Sequence, residues 1–355
     1  MKKREKKRRG LVQMRKKIIY AIALSLFFTL SYPLLGNANE SIADAIKYFS
    51  YELILPENQK DKTLGYYDLL INPREKQEVQ LKLNNTSDQA VKVDIELNSA
   101  KTNGNGVIEY GPSELKEDPS LKYNLAEIMS GPSEITVPPK SSESVTFVIN
   151  SPIAHFDGYI AGGIQLKPVV KTQQAQNTQG TIVNKFAFLI GVLLSESDTQ
   201  KIKPKLKLNN VSLKLKDGSY TVFANISNTE SIFVEKMIAD INITEKDKSK
   251  NSFELKKEDM RMAPNTMMNL PIPLNNQKVN SGEYTANVKI TTKNGGNWNW
   301  VKNFTLSKVE AEQINKQLMN ESDSGFKYWL IIIILVLLFS ILSGFIIKRC
   351  KDREK

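Results

Sequence analysis

Hydrophobic and polar residues alternate with a period of two over most of the chain between residues 45 and 308. The alternation is clearest in the segments 79–83, 91–97, 145–149, 211–215, 220–226, 239–243 and 284–290. Because successive side chains of a strand point to opposite faces, this pattern predicts antiparallel sheets with one buried and one solvated face. Turn-forming residues separate the runs. Asp217-Gly218, between the runs 211–215 and 220–226, is a strong signal for a β-hairpin. The chain is therefore predicted to be all-β.

A similar order of elements occurs twice: strand, Asn-rich turn, strand, proline, strand, a turn with Gly and Tyr, strand. The first copy spans 83–159 and the second 226–284. We predict two tandem immunoglobulin-like β-sandwiches, at 45–168 and 182–308, joined by the polar linker 169–181. Duplication of one domain would explain the repeated order. Independent use of the same turn-forming residues in two unrelated domains is the alternative.

Two details of this assignment depend on single strands. The apolar strand around Phe188 could close either sandwich, and the boundary at residue 182 places it with the second. Trp298 and Trp300 are predicted to fill the core of the second sandwich rather than to form a ligand platform.

The two ends of the chain are predicted to direct and anchor it. Residues 1–38 are basic, then apolar, and end in small residues, which is the order of a secretory signal peptide. An uncleaved signal anchor is the alternative. Residues 328–347 contain no charged side chain and are long enough to form a single transmembrane helix. A stalk at 309–327 precedes this helix, and the spacing of Val309, Ile314 and Leu318 predicts that the stalk is itself helical. A cytoplasmic tail at 348–355 follows the transmembrane helix.

The charge distribution supports this topology. The chain has 49 Lys and Arg against 38 Asp and Glu, a net charge of +11. The surplus is confined to the ends, because residues 39–347 hold 34 basic and 35 acidic residues. Basic residues flank membrane segments on the cytoplasmic side, whereas a nucleic-acid-binding domain needs a basic groove of its own. We therefore predict an extracellular ectodomain on a cell membrane and no nucleic-acid partner.

The composition restricts the available chemistry. The chain contains one cysteine, Cys350, and one histidine, His155. His155 and Asp157 are two residues apart, but no nucleophile motif accompanies them, and we interpret the segment as a polar turn in which Asp157 binds backbone amides. We predict no enzymatic activity, no cofactor and no metal site.

Binding residues are expected on loops of the rigid scaffold, since loops commonly carry function. Tyr and Asn suit both the apolar faces and the hydroxyls of a carbohydrate, and they also suit a peptide. The candidate ligand-binding residues are Lys101, Thr102, Asn103, Tyr110, Lys122, Tyr123 and Asp157. An ordinary role in turns is the alternative for all of them.

Five short sequence segments in the first half of the chain resemble segments of a known family. They are Ile54–Gln59, Gly65–Leu69, Ala100–Tyr110, Asp118–Tyr123 and Phe156–Ile164. In this order they resemble the WxL-interacting proteins of low-GC Gram-positive bacteria. One departure is the turn at 72–75, which reads Asn-Pro-Arg-Glu where the family has a small glycine-containing turn.

The resemblance implies a signal peptide, a peptidoglycan-binding domain, a host-binding domain and a C-terminal transmembrane helix. It implies peptidoglycan and WxL-domain surface proteins as partners, and host matrix proteins as a further expectation. The leading hypothesis is a non-enzymatic surface adaptor or adhesion protein. The alternatives are a hydrolase that modifies the cell wall and a chaperone-like factor that donates a strand edge to secreted partners.

Overall fold

The structure is a computed structural model, and it describes residues 48–169, 186–216, 219–246, 248, 251–274, 278–293, 295–316 and 333–335. The predicted signal peptide and cytoplasmic tail lie outside the described residues, as do most of the linker, stalk and transmembrane segment. No helix within the described ranges is long and apolar enough to cross a membrane. The elements described below all belong to one compact unit, formed by Phe49–Lys171 and Lys185–Lys355.

The first sandwich consists of a four-stranded and a five-stranded sheet. The first sheet has the order β1-β3-β9-β7 and the second β2-β11-β10-β4-β8. The strands are β1 (Phe49–Ile54), β2 (Tyr67–Leu70), β3 (Lys76–Asn85), β4 (Val91–Ser99), β7 (Met129–Ser130), β8 (Glu134–Val137), β9 (Ser141–Asn150), β10 (Ile160–Val169) and β11 (Phe188–Ser195). All pairings are antiparallel except that of β2 with β11.

Two short elements complete the first half of the chain. The hairpin of β5 (Lys101–Thr102) and β6 (Ile108–Glu109) follows β4, and a one-turn helix α1 (Leu125–Ile128) precedes β7. The Asn124 side chain accepts a hydrogen bond from the amide of Ala126 and caps this helix. Leu125 is fully buried and joins the core of the first sandwich.

The second sandwich consists of a three-stranded and a four-stranded sheet, with the orders β12-β13-β16 and β15-β14-β17-β18. Its strands are β12 (Leu206–Lys216), β13 (Ser219–Asn228), β14 (Val234–Glu245), β15 (Asn251–Met262), β16 (Thr266–Ile272), β17 (Gly282–Thr291) and β18 (Asn297–Leu306). All of its pairings are antiparallel. The predicted all-β class is therefore confirmed.

The alternation in sequence becomes alternation of burial. In β3, Val79, Leu81 and Leu83 are buried while the residues between them are not. They pack with residues of the facing sheet, such as Ile164, in one core. The second sandwich has a core of its own, centred on residues such as Ile241 and Val288.

The structure refines three sequence predictions. β11, assigned to the second sandwich, pairs with β10 over Ile160–Leu166 and completes the first, because its alternating apolar residues fill that core. The helix predicted for the stalk is present at residues 308–316, but this part of the stalk is not a spacer, because Ala311 and Ile314 are buried in the second core. Trp298 and Trp300 pack against the second core, as predicted, and both remain partly exposed on the edge strand β18.

Candidate functional site at the junction of the sandwiches

The β5–β6 hairpin projects from the first sandwich onto the second. Its tip contains Gly104 and Gly106, and the amide of Arg261 donates a 2.8 Å hydrogen bond to the Gly106 carbonyl. A Cβ added at Gly104 would lie 2.4 Å from the Asn269 carbonyl oxygen, and one at Gly106 would lie 2.5 Å from Met260. Glycine is therefore needed at both positions for the backbones to approach this closely.

A second loop of the first sandwich makes a similar contact. Gly158 has φ +88°, and a Cβ there would lie 2.1 Å from the carbonyl oxygen of Ser231. The next amide, that of Tyr159, donates a 2.6 Å hydrogen bond to this same carbonyl. The ring of Tyr159 packs against Phe233 at a centroid distance of 5.6 Å.

Buried polar groups are paired across the junction. The hydroxyls of Thr102 and Thr266 are 2.7 Å apart, and the amide of Ala263 donates to the Thr102 hydroxyl at 3.0 Å. The Ser227 hydroxyl donates a short hydrogen bond to a carboxylate oxygen of Asp118, and both residues are buried. Because buried polar groups are costly to leave unpaired, these bonds favour one arrangement of the two sandwiches.

A cluster of tyrosines lies on the outer face of the five-stranded sheet. Gly163 and Gly191 face each other across β10 and β11 and leave a flat area without side chains. Tyr110 covers Gly163 and Tyr66 covers Gly191, with closest approaches of 2.9 Å and 3.5 Å between the Tyr Cβ atoms and a Cβ placed on each glycine. Both tyrosines retain partial exposure. Tyr66, Tyr110 and Tyr159 are called the tyrosine cluster below.

Charged groups border the tyrosine cluster. Arg261 of the second sandwich forms a bidentate pair with Glu235, with distances of 2.8 Å and 2.6 Å, and this pair raises the pKa of Arg261. The Nζ atom of Lys60 lies 5.0 Å from the centre of the Tyr159 ring. Burial raises the pKa of the Tyr66 and Tyr110 phenols, while Arg261 acts in the opposite direction. Both phenols are therefore neutral donors and acceptors at neutral pH.

A cleft of about 450 Å³ lies beside the hairpin. It is lined by residues of the first sandwich, including Asn103 and Glu109, and by Pro271 of the second. The side chain of Glu109 is occupied within the fold, because it accepts hydrogen bonds from Asn103 Nδ2 at 2.8 Å and Ser113 Oγ at 2.8 Å.

Three of the predicted ligand-binding residues have structural partners at the hairpin. Lys101 pairs with Glu117 at 2.9 Å. Thr102 is buried between the sandwiches, so the structure corrects its assignment to an exposed ligand site. The Asn103 side-chain oxygen accepts hydrogen bonds from the amides of Asn105 and Val107 and shapes the hairpin turn.

The other predicted residues are dispersed. Tyr110 belongs to the tyrosine cluster. Lys122 lies 5.0 Å from the ring of Tyr123, which itself packs on the core of the first sandwich. Asp157 is exposed, and its carboxylate is 3.5 Å from His155 Nε2. The structure therefore does not bring the predicted set together at one place.

Glu196, which the sequence analysis did not identify, replaces Asp157 as the acceptor in this turn. Its carboxylate accepts a 3.2 Å hydrogen bond from the amide of Phe156 and lies 2.5 Å from His155 Nδ1. The Glu196 side chain is only 1% exposed. The pair joins the end of β11 to the loop that contacts the second sandwich, which indicates a structural role. Among the described residues, no group of three or more His, Cys, Asp or Glu side chains could hold a metal.

Sequence reasoning also missed Tyr66 and Tyr159 of the tyrosine cluster, as well as Arg261. The available signal was the spacing of Gly163 and Gly191 within apolar strands, since a glycine inside a strand commonly marks a close approach. Which side chain covers each glycine depends on long-range pairing and cannot be read from local sequence.

Two family models match the chain over adjacent regions. Residues 49–168 match the model described as "WxL Interacting Protein, peptidoglycan binding domain", and residues 177–316 match "WxL Interacting Protein, host binding domain". No curated protein matches the chain.

The chain is also similar to solved structures at low identity. The CupB2 chaperone of Pseudomonas aeruginosa has 12% identity and a TM-score of 0.25, with 63% of this chain and 91% of the chaperone covered. The chaperone DraB of E. coli has 14% identity and a TM-score of 0.27, with 73% and 97% covered. A PapD-like domain of human CEP192 has 12% identity and a TM-score of 0.26, with 42% and 86% covered. Similarities at this level support no functional inference.

Proposed function

The chain belongs to the WxL-interacting protein family, and from this premise we propose that it is a non-enzymatic adaptor of the Gram-positive cell surface. The first sandwich binds peptidoglycan or a WxL-domain surface protein, and the second presents an adhesive surface for host matrix proteins. The observation that carries this proposal is the junction, where backbone contacts and buried hydrogen bonds join the two family-matched regions. Because the junction joins the two sandwiches, a mechanical load on the ligand of one sandwich is transmitted to the ligand of the other.

The tyrosine cluster is the proposed wall-binding surface. Tyr66, Tyr110 and Tyr159 present amphipathic rings beside a flat sheet face, with Lys60 and Arg261 at the border. Tyrosine supplies a large rigid contact area with few rotatable bonds, and its hydroxyl forms hydrogen bonds. These properties suit the apolar faces and hydroxyls of a glycan chain. The earlier candidates Lys122, Tyr123 and Asp157 remain predicted ligand contacts of lower priority, because nothing in their surroundings marks a shared surface.

An immunoglobulin-like architecture is proposed for both sandwiches. In the second, the hydroxyl of Tyr284, a residue near the start of β17, donates a 2.9 Å hydrogen bond to the carbonyl of Asn280, four residues upstream. This arrangement has the form of the tyrosine corner found in immunoglobulin-like domains. Membrane anchoring by residues 328–347 after removal of 1–38 completes the proposal and is supported by the sequence pattern.

Retention on purified cell-wall sacculi tests the wall-binding surface. The full chain in detergent is expected to co-sediment with sacculi, and Tyr66→Ala is expected to weaken retention roughly tenfold, equivalent to about 1.4 kcal/mol. Phe186→Ala removes an exposed aromatic side chain of the same chain outside the tyrosine cluster and serves as the matched control. Unchanged retention of Tyr66→Ala would assign wall binding to another surface.

The hydrolase alternative is tested with His155, the only imidazole of the chain. If the histidine pairs structurally with Glu196, His155→Gln should leave the release of soluble fragments from sacculi at the level of a no-protein control, as for the unsubstituted chain. Release by the unsubstituted chain that the substitution abolishes would favour the hydrolase.

A further inference from the structure

β18 is an edge strand that carries less of the usual protection than the other outer strands, although it lies close to β12 of the facing sheet. Its ten residues pair with β17 in an uninterrupted register, and no strand within the described ranges pairs with its other side. The free backbone groups of such an edge form a template for another strand, so proteins commonly protect edges by short length, charge, proline or bulges.

The other outer strands of the four larger sheets carry such protection. β2, β7 and β8 have four residues or fewer, and β1 has six residues with Glu52. β16 contains Pro271. β12 has three lysines and a register shift at Leu208/Asn210, and β15 has six charged residues and three register shifts. β18 has one charged residue, Lys302, and neither proline nor a shift.

The two faces of β18 carry different side chains. The outer face carries polar residues around Val301, whose side chain is 68% exposed. The inner face carries Trp298, Trp300, Lys302 and Phe304. The two tryptophan rings are stacked, with an interplanar angle of 9° and centroids 6.4 Å apart, and each is only partly buried against the second core. The strand therefore exposes apolar surface on both faces.

We propose that β18 pairs antiparallel with β18 of a second copy of the chain, about a twofold axis through Val301. The partner is a second copy because the strand supplies its own complements in this register. Val301 faces Val301, Trp300 faces Lys302, and Trp298 faces Phe304. Lysine and tryptophan attract through a cation–π interaction, and aromatic pairs stabilise antiparallel strands. The two four-stranded sheets become one continuous sheet.

Neighbouring twofold registers are less favourable. An axis through Lys302 would place two ammonium groups directly opposite each other, and like charges in that position are destabilising. An axis through Trp300 would place the exposed Val301 opposite Asn299 rather than against another apolar side chain. An isologous contact of this kind closes on itself and yields a dimer rather than a filament.

Cysteine cross-linking tests the register in the full chain with Cys350→Ser, which removes the only native thiol. Directly opposed residues of antiparallel strands have Cα atoms about 4.5–5.5 Å apart, within the range that a disulfide spans. Val301→Cys is expected to form a covalent dimer with itself. Asn299→Cys and Asn303→Cys should not form one alone but should form a mixed dimer when combined. A failure of either pattern would overturn the proposed register.

Charge exchange tests the contact without a covalent bond. Val301→Lys and Val301→Glu each place like charges on the axis and are expected to raise the dimer dissociation constant roughly tenfold or more. Equimolar mixing of the two variants should restore the dimer, measured by sedimentation of the full chain in detergent. Leu215→Lys, at another exposed apolar position, is the matched control and should leave the mass unchanged.

The unsubstituted chain provides the outcome that does not depend on any variant. A monomeric mass at all concentrations up to the solubility limit, with Val301→Cys remaining monomeric under oxidation, would overturn the proposal. Capture of another protein's strand by β18, with this chain itself monomeric, would overturn it equally, because the occupant would then not be a second copy.

Discussion

Asn85 and Asn228 occupy equivalent positions in the two sandwiches and make equivalent hydrogen bonds. Each is the last residue of its strand, β3 or β13, and each is buried. Asn85 Nδ2 donates to the carbonyls of Gln89 and Val137, and Asn228 Nδ2 donates to those of Ile232 and Ala263. Each amide therefore joins the turn that follows its own strand to the segment that precedes a later strand of the same sheet.

Loss of either amide is expected to destabilise its own sandwich. Asn85→Ala and Asn228→Ala each leave at least two carbonyls without their donor, and an unsatisfied buried group costs about 1–3 kcal/mol. We expect a loss of about 3 kcal/mol in the free energy of unfolding, measured by urea denaturation. Asn84→Ala, at the adjacent partly exposed residue, should change stability by about 0.5 kcal/mol or less. An equal effect at Asn84 would contradict the interpretation.

A methyl group at Gly158 should separate the two sandwiches without unfolding them. Its Cβ would collide with the Ser231 carbonyl, and the φ of +88° disfavours any side chain. Gly158→Ala is expected to convert one calorimetric unfolding transition into two and to increase the radius of gyration in small-angle scattering. Gly65→Ala is the control, since nothing lies within 4 Å of its Cβ position. A single unchanged transition in Gly158→Ala would show that this contact does not couple the sandwiches.

The buried bond between Ser227 and Asp118 gives a second test of coupling. Ser227→Ala leaves one oxygen of a buried carboxylate without its partner across the junction. We expect a loss of about 1–3 kcal/mol in unfolding free energy. Asp118→Asn in the Ser227→Ala background should cost less than in the unsubstituted chain, and a double-mutant cycle measures the difference. Additive effects would mean that the two side chains do not interact in solution.

Alkaline pH should destabilise the fold through its buried phenols. Burial raises the pKa of Tyr66, Tyr67, Tyr110 and Tyr284 above the ordinary tyrosine value of about 10. The stability linked to these groups is fully present below that ordinary value and is lost as pH rises through the folded-state values, because the unfolded chain ionises first. The melting temperature should therefore fall steeply above about pH 10. Tyr67→Phe should reduce this slope, and an unchanged slope would exclude Tyr67 as a contributor.

The local pattern was sufficient for the strands and several turns. Alternation at Val79–Leu83 predicts β3 correctly because every second side chain must enter the core. The Asn-rich turns after β3 and β13 were identified as a repeat, and Asn85 and Asn228 each donate a hydrogen bond to a carbonyl four residues ahead in the turn that follows. These features depend on neighbours in sequence, so sequence alone contains them.

The candidate site was poorly predicted because it depends on pairing over long separations. Thr102 lies in a segment rich in turn-forming residues, which is typical of an exposed loop. It is nevertheless buried, because its hydroxyl contacts that of Thr266, 164 residues away. No local sequence signal marks Tyr66, because its position over Gly191 depends on the pairing of β2 with β11. Trp298 and Trp300 were expected in the core because of their even spacing, and they do pack against it, but the open side of β18 leaves both partly exposed. In each case a distant strand decides the environment.

The position of β11 determines how the protein can be divided for experiment. The first family match ends at residue 168, within β10. The sheet that contains β10 is continued by β11, which is Phe188–Ser195. A fragment ending at 168 would lack Ile190, Val192 and Leu194 from its interior and would expose the side of β10 that these residues' strand occupies. Expression of the first sandwich on its own therefore requires a cut after residue 196, which also keeps Glu196 with His155 and Phe156, and a shorter piece should precipitate.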